Sequence, residues 1–207
     1  GIREINIRGK CLDEDSKPIA KVAIRVYRYQ SIAEPPVEAA STVTDSEGQF
    51  KLAGVGTAID RNLSDLLLTA SATGYVTTVM FNLRPRDMDR LGLVLASNPK
   101  SLSGRVTDVN GNPIPKVLVS HFPFYPPPGI LSAYTDEQGR YEIKDAHEWA
   151  PHPESTIKCN LRFRHPDFPL SQAYYKRIPQ QINVTLKPPA VVEGQVIDAT
   201  TNNPVPN

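Results

Sequence analysis

Gly104-Arg105-Val106-Thr107-Asp108, followed three residues later by Asn112-Pro113-Ile114-Pro115-Lys116-Val117, decides how this chain is read. The same pattern stands 95 residues earlier, as Gly9-Lys10-Cys11-Leu12-Asp13 and Lys17-Pro18-Ile19-Ala20-Lys21-Val22. A second motif repeats as well: Thr44-Asp45-Ser46-Glu47-Gly48-Gln49-Phe50 against Thr135-Asp136-Glu137-Gln138-Gly139-Arg140-Tyr141. Further on, Leu66, Leu68 and Ala70 match Cys159, Leu161 and Phe163. Self-similarity of this kind marks tandem structural units. The pattern opens a third time at Val192-Glu193-Gly194-Gln195-Val196-Ile197-Asp198, with Asn203-Pro204-Val205-Pro206 after it. The expected organisation is one unit over residues 1–98, a second over 99–188 and the start of a third over 189–207. A fragment that short buries no core of its own. With a first residue that is Gly rather than Met, the expectation is a piece of a longer protein.

Each unit reads as β. Ile5, Ile7, Gly9 and Cys11 alternate with polar neighbours, the period of a strand with one wet face. Leu102, Gly104 and Val106 repeat this, and Val192, Gly194 and Val196 repeat it again. The next strand points Val22, Ile24 and Val26 inward, matched by Val117, Val119 and His121. Turn signals recur at short intervals and no sustained 3.6-residue period appears, so the fold class is all-β, sandwich or barrel. Residues 54–65 are polar and suit a short helix, and residues 144–154 form a similar stretch in the second unit. Asp13 to Pro18 and Asp108 to Pro113 form a first hairpin connection, and Asp45 and Asp136 each open a second, with backbone amides two and three residues on as the expected donors.

Composition narrows function. Lys plus Arg is 23 and Asp plus Glu is 22, a balance that argues against a nucleic-acid footprint or a polybasic membrane anchor. No apolar run is long enough to span a bilayer. Two cysteines, Cys11 and Cys159, fall in different units, which argues for buried thiols rather than a disulfide. All four histidines lie in the second unit, but His147 and His152 are five apart with Pro151 between, which is not the spacing of a helical metal site. Asp13, Glu14 and Asp15 come nearest to a calcium loop, without the alternate-position ligands and bidentate Glu of one. No nucleophile elbow, phosphate loop or dinucleotide fingerprint is present. No cofactor, metal or catalytic residue is assigned, and the chain is read as not an enzyme. One segment stands apart: His121-Phe122-Pro123-Phe124-Tyr125-Pro126-Pro127-Pro128-Gly129, proline-stiffened and aromatic. It suits packing over its own sheet or in the junction between units, the favoured reading. The alternative is a contact with a protein or carbohydrate partner through Phe122, Phe124, Tyr125 and Trp149.

These repeated residues resemble the carboxypeptidase regulatory-like domain family, a transthyretin-like (prealbumin-like) sandwich. The likeness lies in Gly104 to Val117 and Thr135 to Tyr141, and in Gly9 to Val22, Thr44 to Phe50 and Gly74-Tyr75. Cys11 and Ser16 depart from its usual Val and Gly, and Asp167-Phe168 replaces its Gly-Tyr. The resemblance implies tandem seven-stranded Greek-key sandwiches without catalysis, serving as spacer, accessory or binding modules of a larger, extracytoplasmic protein. Other domains of the same polypeptide are the implied partners, with no nucleic acid and no membrane insertion. Related adhesin modules carry Lys–Asn isopeptide bonds, for which Lys10 and Lys21 are candidate lysines.

Overall fold

The structure is a computed structural model describing residues 2–29, 34–58, 66–81, 83, 88–121, 126–127, 129–146, 159–190, 193–201 and 203–204. Among them are fourteen strands and no helix. The first repeat supplies β1 (Ile2–Asp13), β2 (Ala23–Arg28), β3 (Val37–Val43), β4 (Gln49–Ala58), β5 (Leu66–Ser71), β6 (Thr78–Phe81) and β7 (Leu91–Leu95). The second supplies β8 (Lys100–Thr107), β9 (Leu118–Ser120), β10 (Ser132–Tyr134), β11 (Arg140–Ala146), β12 (Cys159–His165), β13 (Phe168–Tyr175) and β14 (Val184–Thr185).

The topology duplicates as the residues do. Sheets ordered β4-β1-β7 and β3-β2-β5-β6 form the first sandwich, and sheets ordered β11-β8-β14 and β10-β9-β12-β13 form the second. In each, the first strand is antiparallel to the fourth and parallel to the seventh. Each sandwich closes on its own core. The first holds Ile7, Cys11, Val22, Ile24, Val26, Leu68 and Leu93, and the second Leu102, Val106, Val117, Val119, Leu161 and Phe163. The inward residues expected from period two are those that are buried, because alternate side chains must share one face.

The glycine of each opening strand has a packing cause. A Cβ on Gly104 would lie 1.8 Å from the Ile182 carbonyl oxygen and 2.8 Å from Tyr141 Oη; on Gly9 it would lie 2.3 Å from Leu91 O and 2.6 Å from the Phe50 ring. The aromatic ring of the fourth strand therefore occupies the space that the glycine leaves.

Three expectations change. Residues 54–58 continue β4 rather than turning helical, and β11 runs through Ala146; residues 59–65 and 147–154 lie outside the described residues. Asp45 and Asp136 accept from amides two and four residues on, not two and three, because the amide three on is bonded to the aspartate's own carbonyl. In the third repeat Val196 is 72 % exposed, whereas its equivalents Cys11 and Val106 are fully buried. No second strand of the described residues lies against it, so the period-two pattern has nothing to face.

Candidate functional site

The acidic turns come first, since they recur in every copy of the repeat. Asp13 Oδ1 accepts the amides of Asp15 (2.9 Å) and Lys17 (2.8 Å). Asp45, Asp108 and Asp136 repeat that geometry. Asp198 accepts from Thr200 and Thr201 in a turn one residue longer. Hydrogen bonds to the charged form favour it. The Asn112 side-chain amide is the chief cause holding the Asp108 carboxyl below the usual range, and the Arg140 backbone amide does the same for Asp136. These carboxylates are consumed in bending the chain. Asp13, Glu14 and Asp15 do not converge on a cation: Glu14 Oε2 accepts from the amide (3.0 Å) and hydroxyl (2.8 Å) of Ser97, while Asp15 faces Lys17 Nζ at 3.6 Å.

The second acidic turn of each sandwich is backed by a buried threonine. Thr44 Oγ1 donates to Ile19 O (2.7 Å) and accepts from the Val22 amide (2.9 Å); Thr135 Oγ1 donates to Ile114 O (2.7 Å) and accepts from the Val117 amide (2.8 Å). One hydroxyl thus satisfies a donor and an acceptor where the chain crosses between sheets. The repeated Thr-Asp pair of the sequence is a buried tie followed by an exposed turn.

The groups with catalytic or metal-binding potential stay apart. Cys11 and Cys159 are buried in separate cores and not disulfide-linked, and burial pushes the Cys11 thiol up to about 11, away from nucleophilic character. His121 is buried with Nδ1 3.1 Å from the Asn160 carbonyl oxygen. His165 ends the same strand on which Asn160 lies, about 16 Å along at the strand rise, and packs edge-on against Phe168. His147 and His152 lie outside the described residues. Among the described residues no group of three His, Cys, Asp or Glu could hold a metal ion. Every described lysine, Lys10 and Lys21 included, is exposed, outside the two cores where an internal isopeptide bond would be shielded.

Phe122, Phe124, Tyr125 and Trp149, the candidate contact residues, lie outside the described residues. The described flank of the aromatic segment does have a place. Pro126 and Pro127 are buried, and Gly129 and Leu131 take left-handed backbone (φ 71° and 47°), which folds the segment back toward β10. The His121 amide then donates to Leu131 O at 2.9 Å. Ile130 and Leu131 pack with Tyr27 and Leu67 of the first sandwich in a third apolar cluster, with Tyr29 and Val79 at its margin. This cluster joins the two sandwiches. Sequence reasoning placed the segment at the junction as one option but missed its receiver. The signal was the unbroken run Leu66-Leu67-Leu68, where strict alternation would have put a polar residue at 67.

Beside that junction runs an apolar groove of about 330 Å³, lined by Pro35, Leu118, Pro126, Gly129, Ala133 and Tyr134 among others. Among the described residues Tyr134 is its only ionisable side chain, and it is 63 % exposed. A broader crevice of about 1090 Å³ lies open along β1, β4 and β7, where Arg8, Lys10, Lys51 and Arg90 mix with Asp45 and Asp89. Neither hollow collects a nucleophile, a base and an oxyanion donor in one enclosed space.

No family model matches the chain, and no curated protein matches it. Solved structures do. The chain is similar to the shaft pilin SpaA from Lactobacillus rhamnosus GG at 10% identity and a TM-score of 0.33, over 92% of this chain and 100% of that one. It is similar to a streptococcal ancillary pilin at 9% identity and a TM-score of 0.34, over 90% of this chain and 62% of that one. The Bacillus anthracis TIE protein is similar at 12% identity and a TM-score of 0.32, over 89% and 34% respectively. Among the described residues no helix is long and apolar enough to cross a membrane.

Proposed function

We propose that this chain is a non-catalytic spacer, two carboxypeptidase regulatory-like sandwiches over residues 1–98 and 99–188 and the opening of a third over 189–207, within an extracytoplasmic multidomain protein. The observation that carries the reading is the apolar junction. Leu67 is fully buried outside the first sandwich's own core, in a cluster with Tyr27 of the first sandwich and Ile130 and Leu131 of the second. Burying a Leu or Ile side chain contributes roughly 1.5–3 kcal/mol, enough for a few such residues to hold neighbouring units in one orientation. A spacer needs this, because a loosely hinged pair sets no distance. Spin labels at exposed Lys51 and Lys144 test it. One narrow distance distribution is expected, broadened in Leu67→Ser; a broad distribution in the unsubstituted chain would remove the reading.

A second reading has one observation in its favour. The groove next to the aromatic segment is apolar, with an exposed tyrosine at its rim, a surface suited to an extended peptide or a sugar ring. Contacts through Phe122, Phe124, Tyr125 and Trp149 would belong to it. Peptide-array or glycan-array binding that disappears in Tyr134→Ala is the expected result, and an array with no signal ends it.

A further inference from the structure

We propose that each sandwich is a tension-bearing clamp loaded in shear, and that the second yields before the first. The inference rests on the spacer reading for its purpose, but its physics comes from strand direction alone. In both copies the first and last strands are hydrogen-bonded neighbours and run parallel. The chain enters a parallel pair at one end and leaves it at the other. A pull along the chain therefore slides the two strands lengthwise past each other, and every ladder bond between them is strained at once. An antiparallel terminal pair would open from one end, one bond at a time. β1 is also laddered to β4 along its first part, so a pull on its leading end drags it along both neighbours.

The two clamps are built differently. In the first, five successive pairs run without interruption from Gly9↔Leu91 to Asp13↔Leu95, and the Arg8 amide extends the ladder to Met88 O at 2.6 Å. In the second, regular pairing is limited to Val106↔Val184 and Thr107↔Thr185. Upstream of it the ladder is irregular. The Ser103 amide donates to Gln180 O (3.2 Å), the Ile182 amide donates to Ser103 O (2.8 Å), and the Arg105 amide is met by a side chain, Asn183 Oδ1, at 3.0 Å; beyond the paired residues the Leu186 amide donates to Thr107 O at 2.8 Å. The uninterrupted run of pairs is then shorter, two against five, and one link depends on a side chain that can rotate away. Forced unfolding is governed by the unfolding barrier rather than by equilibrium stability, so the clamp with the broken ladder opens first.

Single-molecule pulling on the full chain tests this, with handles at the two chain ends. Two unfolding events are expected, and Asn183→Ala should lower the force of the weaker one while leaving the stronger in place. A second geometry asks about direction. A handle on an Asn110→Cys variant, with the other at the C-terminal end, pulls β8 and β14 from the same end and peels them. The exposed thiol is labelled selectively because Cys11 and Cys159 are buried. In that geometry the second sandwich should open at a several-fold lower force. Equal forces in the two geometries overturn the clamp. A shift of the stronger event by Asn183→Ala, or of neither event, overturns the order of yielding. The spin-label distances are measured without load, so a failed spacer reading and a failed clamp are separately visible.

Discussion

The two sandwiches share strand order, turn geometry and inward face, and part company on the outward face of their four-stranded sheets. The repeat aligns Leu68 with Leu161 and Ala70 with Phe163, all inward and buried. On the opposite face it aligns Leu67 with Asn160 and Thr69 with Arg162. Leu67 is apolar and covered by the neighbouring sandwich, whereas its equivalent Asn160 is polar; among the described residues Asn160 Oδ1 and Arg162 Nε are buried without a hydrogen-bond partner, as is Thr69 Oγ1 in the first sandwich. The inward face is constrained by the fold, since each copy must close its own core. The outward face is constrained only by what docks there. The first sandwich is thus made to receive a neighbour on this face, and the second is not made to receive one in the same way. Pro188 and Pro189 follow the second sandwich and stiffen the chain where it leaves.

The largest expected effect probes what the copies share. Gly104→Ala sets a methyl carbon against a backbone oxygen that cannot retreat without parting β8 from the segment at Ile182. Overpacking of this severity costs roughly 3 kcal/mol or more. Gly9→Ala meets Leu91 O at the longer 2.3 Å, so the loss should be large but smaller. Denaturant melts of both variants should rank in that order. An Ala accepted at 104 without loss would mean that β8 and the segment at Ile182 do not approach there as described.

A smaller effect separates the copies. Phe50 and Tyr141 fill equivalent space, but only Tyr141 adds a hydroxyl, which donates to Ile182 O at 2.8 Å inside the second sandwich. Burial, its largest cause, pushes the phenol well above its ordinary range, so the hydroxyl stays protonated and keeps donating at any pH the fold survives. Tyr141→Phe leaves that carbonyl without its side-chain donor and should cost about 1 kcal/mol. The loss should be constant below the ordinary phenol range and shrink above it, where the unfolded chain ionises and the native hydroxyl does not. A loss that grew with pH would show that the phenol ionises in the native state.

Much of this architecture was legible because strand burial has period two and the period was printed twice. Ile5, Ile7 and Cys11 pointed inward in the sequence and do so in the structure, and His121 takes the apolar slot its alignment with Val26 gave it. The Asp turns were legible for a similar reason, since Asp and Gly at fixed offsets leave few backbone choices. What escaped was non-local. Nothing near Leu91–Leu95 says that it lies parallel to β1 rather than beside β6, and nothing near Leu67 names Ile130 as its cover. The third repeat shows the converse: Val196 has the correct local pattern and is exposed because burial is a property of pairs of elements.

The mildest difference between the copies lies in the first turn. Gly111 takes φ 84° there, and in the first copy the same position is Ser16 at φ 64°. Left-handed backbone costs a side-chain-bearing residue roughly 1–2 kcal/mol, while Gly gives back about 0.5–1 kcal/mol through the entropy of the unfolded chain. Ser16→Gly should therefore stabilise the first sandwich by about 0.5 kcal/mol, and Gly111→Ser should destabilise the second by a similar amount. Both substitutions leave the Asp13 and Asp108 hydrogen bonds in place, so the pair isolates the backbone contribution from that of the acid. Opposite shifts of similar size in denaturant midpoint are the expected outcome. A stabilising Gly111→Ser would show that the serine holds its turn by something the glycine cannot supply, and the two turns would then be alike in shape alone.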